Sequence, residues 1–469
     1  MIIEHKSLYW LRRDLRLEDN PALLALQQSQ SSALFVYIHD PIECQATGEA
    51  GHWWLHESLK KLQEDYHSRF GATLIIKKGE ALNILQSLIK KYEINQVLWN
   101  RLYSPTTIKR DTQIKKTLQD YGIEVDTFNA HLLNEPWEVQ NNSGQYFKVF
   151  TPYWRKAFEV YQSKKEKLKK LESLNILKHQ EKNSWNFLPK KNWYEKFTNH
   201  WTPGEQAAQK QFNQYLKKDI DVYKEARDRP DFDQTSKLSP YLRFGEISPR
   251  TIVLNILKSK KLSSSVLTYL SEIGWREFSY SLLYYSKDLA AIPINQKFQK
   301  FPWRKSSQDL ELWKKGKTGI PLVDAAMRQI YDKGWMHNRL RMVVGSFLVK
   351  NLLLNWTLGE RYFKETLLDY DEASNAAGWQ WIAGCGADAA PYFRVFNPVL
   401  QSERFDPQAK FILKYLPQLQ ILKKPSAIFQ PYLQEQELNQ LMKDQLYYPP
   451  VVDLKDSRNR ALEAYQQTK

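Results

Sequence analysis

Residues 8–38 read LYWLRRDLRLEDNPALLALQQSQSSALFVYI, and this stretch decides the fold of the first third of the chain. Two short runs rich in aromatic and apolar side chains, 8–11 and 33–38, have the length of buried strands. Between them, 21–28 carries apolar residues at helical spacing. The pattern repeats. Further strand-like runs fall at 73–76 and 97–99, and helix-like stretches at 53–70, 81–92 and 106–121. Such alternation predicts an α/β unit with a five-stranded, Rossmann-like parallel sheet and right-handed helical crossovers. No GxGxxG follows the first strand, so a standard dinucleotide-binding loop is not expected there.

The remaining sequence changes character twice. From 131 to 203 it is polar and lysine-rich, as in a long interdomain connector, and SKKEKLKK at 163–170 reads as a solvated helix face. From 204 onward strand signals fade and helical periodicity takes over, for example at 265–283, 321–332, 336–355 and 359–370. The expected organisation is an α/β domain at 1–130, a connector at 131–203 and a large all-helical domain at 204–469. That suits a chain of 469 residues.

Composition narrows the function classes. Apolar residues make up 42% and charged residues 26%, which excludes a disordered or fibrous chain. Two cysteines, Cys44 and Cys385, are too few for a disulfide framework or a CxxC site, which fits a cytoplasmic location. The first twenty residues lack the apolar core of a signal peptide, and no apolar run approaches the ~18 residues a membrane span needs. A soluble chain without a membrane partner is expected. Lys and Arg number 68 against 52 Asp and Glu, a net charge of +16. Residues 1–130 hold 16 of each sign, so the whole excess lies downstream, where it favours a polyanion such as nucleic acid.

Several clusters in the helical part could carry chemistry. GWMHNRLRM (334–342) opens a buried helix whose spacing puts Trp335, Asn338, Arg339 and Met342 near one face, able to receive a flat ligand with polar edges. A buried Asn satisfied by backbone and an Arg paired with an acid fit the same spacing. In DYDEASNAAGWQW (369–381), Asp371, Asn375 and Trp379 recur every four residues among small side chains that let a planar group approach the backbone. A close helix–helix contact would use the same small residues. TSKLSP (235–240) offers hydroxyls and N–H groups for a phosphate, or a plain helix cap. EIGWREF (272–278) groups Glu272, Trp275 and Arg276 in one turn. A Glu buried beside an indole should have a raised pKa, although an ordinary Glu–Arg surface pair fits as well. No GxSxG, HExxH or Walker loop occurs, and the nine histidines form no metal cluster in the sequence.

Taken in order, YWLRRDLRLEDNPAL (9–23), TSKLSPYLRFGEISPR (235–250), EIGWREF, GWMHNRLRM and DYDEASNAAGWQW with DAAPYFRVFNP (388–398) closely resemble the photolyase/cryptochrome family, nearest the bacterial class I cyclobutane pyrimidine dimer photolyases. The resemblance spans about residues 5 to 415. It implies an antenna-binding α/β domain and a helical domain that binds FAD in a folded shape. Positions matching the family's FAD contacts are Tyr223, Thr235, Ser236, Leu238 and Ser239 on the phosphate side, and Arg276, Trp335, Asn338, Arg341, Asp369, Asp371 and Asn375 around the ring system. Arg341 and Asp369 match the ion pair beside the isoalloxazine. Asn375 matches the position opposite flavin N5, where plant-type cryptochromes usually carry Asp and animal-type ones Cys. A neutral amide hands over a proton less readily than an acid, which favours the fully reduced anionic flavin.

The same resemblance implies a substrate pocket. Trp275 and Trp381 match its aromatic walls. Glu272 and Asn338 match the groups that bind the polar edges of two fused pyrimidines, and Arg339 and Met342 complete the lining. The paired His of (6-4) photolyases is absent, since Asn338 and Met342 stand at those positions. The implied reaction is light-driven repair of cyclobutane pyrimidine dimers: excited reduced FAD gives an electron to a flipped-out dimer, the ring opens and the electron returns. A protonated Glu272 with Asn338 would stabilise charge developing on the pyrimidine carbonyls. Trp379, Trp356 and Trp303 match the electron-relay chain, and Arg227, Arg339, Arg394 and Arg404 are candidates for phosphate contacts, Arg394 equally for an internal ion pair. UV-damaged DNA is the implied partner and a monomer the expected state. A second chromophore, deazaflavin or folate, is left open. Folate-binding relatives place an acid within the stretch matching SPTTIKR (104–110), which has none, so the lean is toward deazaflavin or an empty site. The alternative is a cryptochrome-type blue-light receptor without repair. Asn375 and the intact pocket weigh against it, as do the 72 mostly helical-patterned residues after Asn397.

Overall fold

The computed structural model describes residues 5–389 and 394–467. Part of the last family string, 390–393, lies outside the described residues.

Strands β1 (Lys6–Leu11), β2 (Ser32–His39), β3 (Ile75–Lys78), β4 (Gln96–Asn100) and β5 (Glu124–Phe128) form a parallel sheet in the order β3-β2-β1-β4-β5. Between them run helices α1 (Pro21–Ser29), α2 (Pro41–Gln45), α3 (Glu49–Phe70), α4 (Ala81–Tyr92) and α5 (Pro105–Asp120). Local chemistry sets several boundaries. Asn20 accepts a hydrogen bond from the N–H of Leu23, with Pro21 opening α1, and Ser104 and Pro105 do the same for α5. Side chains alternate across the sheet. Leu8, Trp10, Leu34, Val36, Ile38, Val97 and Trp99 pack with α4 and α5, while Tyr9, Leu11, Phe35, Tyr37 and Leu98 face α1 and α3.

The connector is itself structured. It contains α6 (Phe150–Ser163) and a two-residue strand, β6 (Asn175–Ile176), that pairs with β2 and adds a sixth strand to the five expected. The charged run at 163–170 is not a helix face, because α6 ends at Ser163 and 166–174 have no regular structure. Lys165 adopts a left-handed φ of 49°, and successive lysines repel one another along any continued helix.

Among the described residues helices then follow without interruption by strands: α7 (Glu205–Lys218), α8 (Tyr223–Ala226), α9 (Ser239–Phe244), α10 (Pro249–Ser259), α11 (Ser264–Tyr285), α12 (Ser307–Lys314), α13 (Pro321–Lys333), α14 (Asn338–Ser346), α15 (Trp356–Thr366) and α16 (Glu372–Ala383), with further helices to Gln466. The long helix expected over 336–355 is broken. His337 caps α14 by accepting from the N–H of Arg339, and a π-helical turn at Phe347–Asn351 ends it. Trp335 therefore precedes the helix and does not share its face. One hydrophobic core joins the α1/α3 side of the sheet to α7, α9, α10 and the first half of α11, and a second lies among α12 to α16 and the helices beyond. The two halves of the chain are thus packed on a common interior.

Candidate functional site

Helix α16 packs against α11, α14 and α15, and α8 packs against α11. These five elements carry most of the residues singled out from the sequence.

The acidic end of the site is built at the start of α16. Asp371 caps the helix, its Oδ1 accepting from the N–H of Ser374 at 2.9 Å, and its Oδ2 accepts from the Tyr280 hydroxyl. Burial pushes this carboxyl up, but Arg276 and Arg243 outweigh burial and hold it below the usual carboxylate range. The guanidinium of Arg276 donates to the His131 carbonyl at 2.7 Å and lies over the Tyr280 ring. Its hydrogen bonds thus go to a structural network that fixes Asp371.

Arg341 Nη2 lies 2.7 Å from Asp369 Oδ2, and Arg341 Nε donates to the Met336 carbonyl at 2.8 Å. The expected pair therefore forms. Asp369 is buried, yet its second oxygen, Oδ1, has no hydrogen-bond partner among the described residues. One turn into α16, Asn375 Nδ2 donates to both the carbonyl (3.2 Å) and Oε1 (3.1 Å) of Glu360 on α15. Glu360 also accepts from the Tyr370 hydroxyl at 3.1 Å, and burial raises its pKa despite both donors. Sequence reasoning missed Glu360, since no motif marks it. Three residues after Asn375, a Cβ at Gly378 would meet nothing within 4 Å, so that side of α16 is open.

These features fit a flavin. A buried carboxylate oxygen lacking a donor, an amide held at one end and an open small-residue face are what a ring with N–H groups and a flat surface requires. On the phosphate side, Trp335 Nε1 donates to Ser239 Oγ at 3.3 Å, the buried Tyr223 stands edge-on to Tyr269, and Tyr269 hydrogen-bonds Ser236. Thr235 and Ser236 are half-buried, Leu238 is buried, and Lys237 between them takes a left-handed φ of 52°. Helix α9 has no side-chain cap, so these hydroxyls are not spent as the plain helix cap allowed by the sequence.

The proposed substrate side is ringed by alternating charges. Arg227 Nη1 lies 2.5 Å from Glu272 Oε1, and Arg339 Nη2 lies 2.7 Å from Asp228 Oδ1. Burial raises the pKa of Glu272 although Arg227 works against it. Asn338 is exposed at the first position of α14, whereas Met342 is half-buried. Trp275 and Trp381 are also half-buried, and one face of Trp275 is stacked on Phe150 with ring centres 3.8 Å apart. Trp379 is buried among Trp313, Phe363 and Gly359, and its indole N–H has no partner among the described residues. Trp356 is buried and Trp303 half-buried beside Phe301.

Of the candidate phosphate contacts, Arg227 and Arg339 are engaged in the ion pairs above, and Arg339 also lies over the Phe405 ring. Arg404 and Arg394 are exposed, and the Arg394 carbonyl accepts from the buried Lys350. At the carboxyl end of the sheet, Arg110, from the 104–110 stretch, is half-buried and forms ion pairs with Asp40 (3.0 Å), Glu43 (3.3 Å) and Asp111 (2.8 Å). Burial opposes the charge on Glu43, but Arg13 and Arg110 hold its pKa down to about 2. The histidines read as unclustered are brought together at one place, where His39 and His52 meet Cys44.

Comparison with known proteins matches residues 7–172 to the family described as DNA photolyase and 269–467 to the FAD binding domain of DNA photolyase. A deoxyribodipyrimidine photo-lyase of Agrobacterium fabrum is 39% identical over 98% of this chain and 97% of its own. Cryptochrome-1 of Arabidopsis thaliana is 33% identical over 98% of this chain and 70% of its own. The crystal structure of a bacterial class III photolyase from Agrobacterium tumefaciens superposes with a TM-score of 0.91 at 37% identity, covering 100% of this chain and 98% of that one. The class I subtype read from the motifs is not singled out by these matches. No helix among the described residues is long and apolar enough to cross a membrane.

Proposed function

Because the chain belongs to the photolyase/cryptochrome family, we propose that it binds FAD between α9, α11, α14 and α16 and uses light to split cyclobutane pyrimidine dimers in UV-damaged DNA. Residues 1–130 form the antenna-binding unit in this reading, 131–203 the connector and 204–469 the FAD- and DNA-binding unit, working as a monomer in the cytoplasm. The observation that carries it is Asp369, a buried carboxylate fixed by Arg341 on one oxygen and, among the described residues, left without a donor on the other. Leaving such an oxygen unpaired costs stability, and a ring N–H of the cofactor would meet that need.

Reduced, photoexcited FAD supplies the electron. The chain's own residues do the rest. Arg341 and Asp369 orient the ring edge, and Glu360 holds the Asn375 amide so that Oδ1, an acceptor, is the end left to face it. Trp275 and Trp381 hold the dimer's flat faces and exclude water. Glu272 and Asn338 hydrogen-bond its polar edges, and burial, which already raises the pKa of Glu272 against Arg227, favours the protonated, donating form once that cation is drawn away. Binding requires Arg227 to release Glu272 or to bridge it to the incoming backbone. Trp379, Trp356 and Trp303 relay electrons inward to restore the reduced state.

The test is direct. Reduced protein is mixed with dimer-containing oligothymidine under near-UV or blue light, and recovery of the thymine absorbance is followed. Recovery in the light alone is expected, and none would refute the reading in favour of a receptor role. Extracting the chromophores and weighing them identifies FAD and any deazaflavin or folate.

A further inference from the structure

At the carboxyl end of β2, three potential ligands from a 14-residue stretch converge: His39 at the strand's last position, Cys44 in α2 and His52 in the first turn of α3. Their ligand atoms lie within 4.8 Å of one another. We propose that His39, Cys44 and His52 form a binding site for one zinc-class divalent cation, which pins α2 and the start of α3 to the carboxyl end of the sheet.

The internal geometry favours this over a chance meeting. Cys44 Sγ lies 3.8 Å from His52 Nε2. Two ligands of a tetrahedral zinc, at about 2.3 Å for sulfur and 2.0–2.1 Å for nitrogen, sit about 3.5 Å apart, so this edge is already near its bound length. His52 Nδ1 is 3.0 Å from the Gly48 carbonyl, which can only accept, so Nδ1 carries the proton and the Nε2 lone pair faces Cys44. Outer-shell carbonyls orient metal-bound imidazoles in this way. His39 is buried, its ring lies edge-on to His52 with centres 5.3 Å apart, and its Nδ1 has no hydrogen-bond partner among the described residues. Phe187 of the connector covers the other side of that ring at 4.3 Å.

Burial lowers the pKa of both imidazoles, a direction that favours the neutral form able to bind a metal. Lys78 and Lys364 repel a cation here and Glu49 attracts it, while the neighbouring Asp40 and Glu43 are already paired with Arg110 and Arg13. Cys44 releases its proton to solvent on binding. With a thiolate and two imidazoles, one position remains for water, a set that suits zinc better than magnesium or calcium.

The experiment uses the flavin-loaded full chain, stripped with a chelator and dialysed against Zn²⁺. One equivalent per chain is expected, with Cys44→Ser and His52→Ala each weakening binding by at least about 100-fold, more than loss of an outer-shell partner costs. In the unsubstituted protein, Zn²⁺ should protect Cys44 from iodoacetamide, read by mass spectrometry. Cys385 is the internal control, because burial pushes its thiol up to about 12. Unchanged alkylation of Cys44 at saturating Zn²⁺, or equal affinity in folded His52→Ala, overturns the site. Should either variant fail to fold, the alkylation arm alone decides.

Discussion

The amide nitrogen of Asn375 reaches both oxygens that Glu360 presents, Oε1 at 3.1 Å and the main-chain carbonyl at 3.2 Å, so the amide has a single orientation with Oδ1 outward. Asn375→Asp would set two carboxyl groups against each other, and one of them would stay protonated. The variant gains an acid where the parent has a neutral amide. The absorption spectrum of the flavin after partial photoreduction should change, and an identical spectrum would remove Asn375 from the flavin's reactive edge.

Glu272 and Asn338 act on the substrate in the proposed reaction, so removing either should slow repair, and removing Glu272, which is not among the flavin contacts, should do so without releasing FAD. A loss of roughly 10²–10³-fold for Glu272→Ala is the scale of one missing charge-stabilising donor. Repair per absorbed photon, measured beside flavin content, checks it. If both Ala variants repaired at the parental rate, the pocket assignment would fail.

DNA affinity should fall steeply with salt, the logarithmic slope being about −0.9 per phosphate neutralised. Arg404 is exposed, whereas Arg339 is held by Asp228 at 2.7 Å. Arg404→Ala should therefore lower the magnitude of the slope by about one contact, and Asp228→Asn, which frees Arg339, should raise it. Fluorescence anisotropy titrations between 50 and 200 mM salt, roughly the range over which such contacts are lost, measure both. Unchanged slopes in both variants would place the phosphates elsewhere.

Glu246 is fully buried and accepts from Trp54 Nε1 (3.0 Å), Ser58 Oγ (2.6 Å) and the Gly204 N–H (2.7 Å), tying α3 to the helical half. Burial raises its pKa to about 8 even against those donors. The folded chain thus keeps a proton that the unfolded chain releases near 4.5, so this group removes stability as pH rises from about 4.5 to about 8. Urea unfolding across that window should show a decline of up to about 1.4 kcal/mol per pH unit from this group. Glu246→Gln should flatten the slope, and a slope unaltered by the change would contradict the assignment.

Gly359 lets α15 approach α16, since a Cβ there would lie 2.1 Å from an atom of the Trp379 ring. Gly359→Ala should cost about 1–3 kcal/mol by overpacking and slow photoreduction of the flavin by displacing that indole. Thermal unfolding and the rate of flavin bleaching under light with a reductant report the two effects. Parental values for both would mean that Trp379 moves freely.

Much of this protein was legible in one dimension because much of it depends on short-range periodicity. The apolar runs 8–11 and 33–38 fall inside β1 and β2, and the helical spacing at 265–283 and 321–332 inside α11 and α13. The family strings identified Arg341 and Asp369 as partners 28 positions apart, because each sits in its own recognisable motif. Where local rules competed, the reading failed: the lysines after Ser163 leave the helix, and His337 starts α14 later than the apolar pattern implied.

Tertiary structure alone decided which polar groups meet. Glu360 carries no motif, yet burial and the Asn375 amide make it part of the site. Arg227 looked like a free phosphate contact until α8 packed on α11 and set it against Glu272, 45 positions away. His39, Cys44 and His52 are near in sequence, but only the strand end and the turn into α3 aim them at one point. The physical reason is common to all three. Periodicity encodes which face of an element is apolar, whereas the partner of a polar side chain depends on the packing of two elements and on how far both are withdrawn from water.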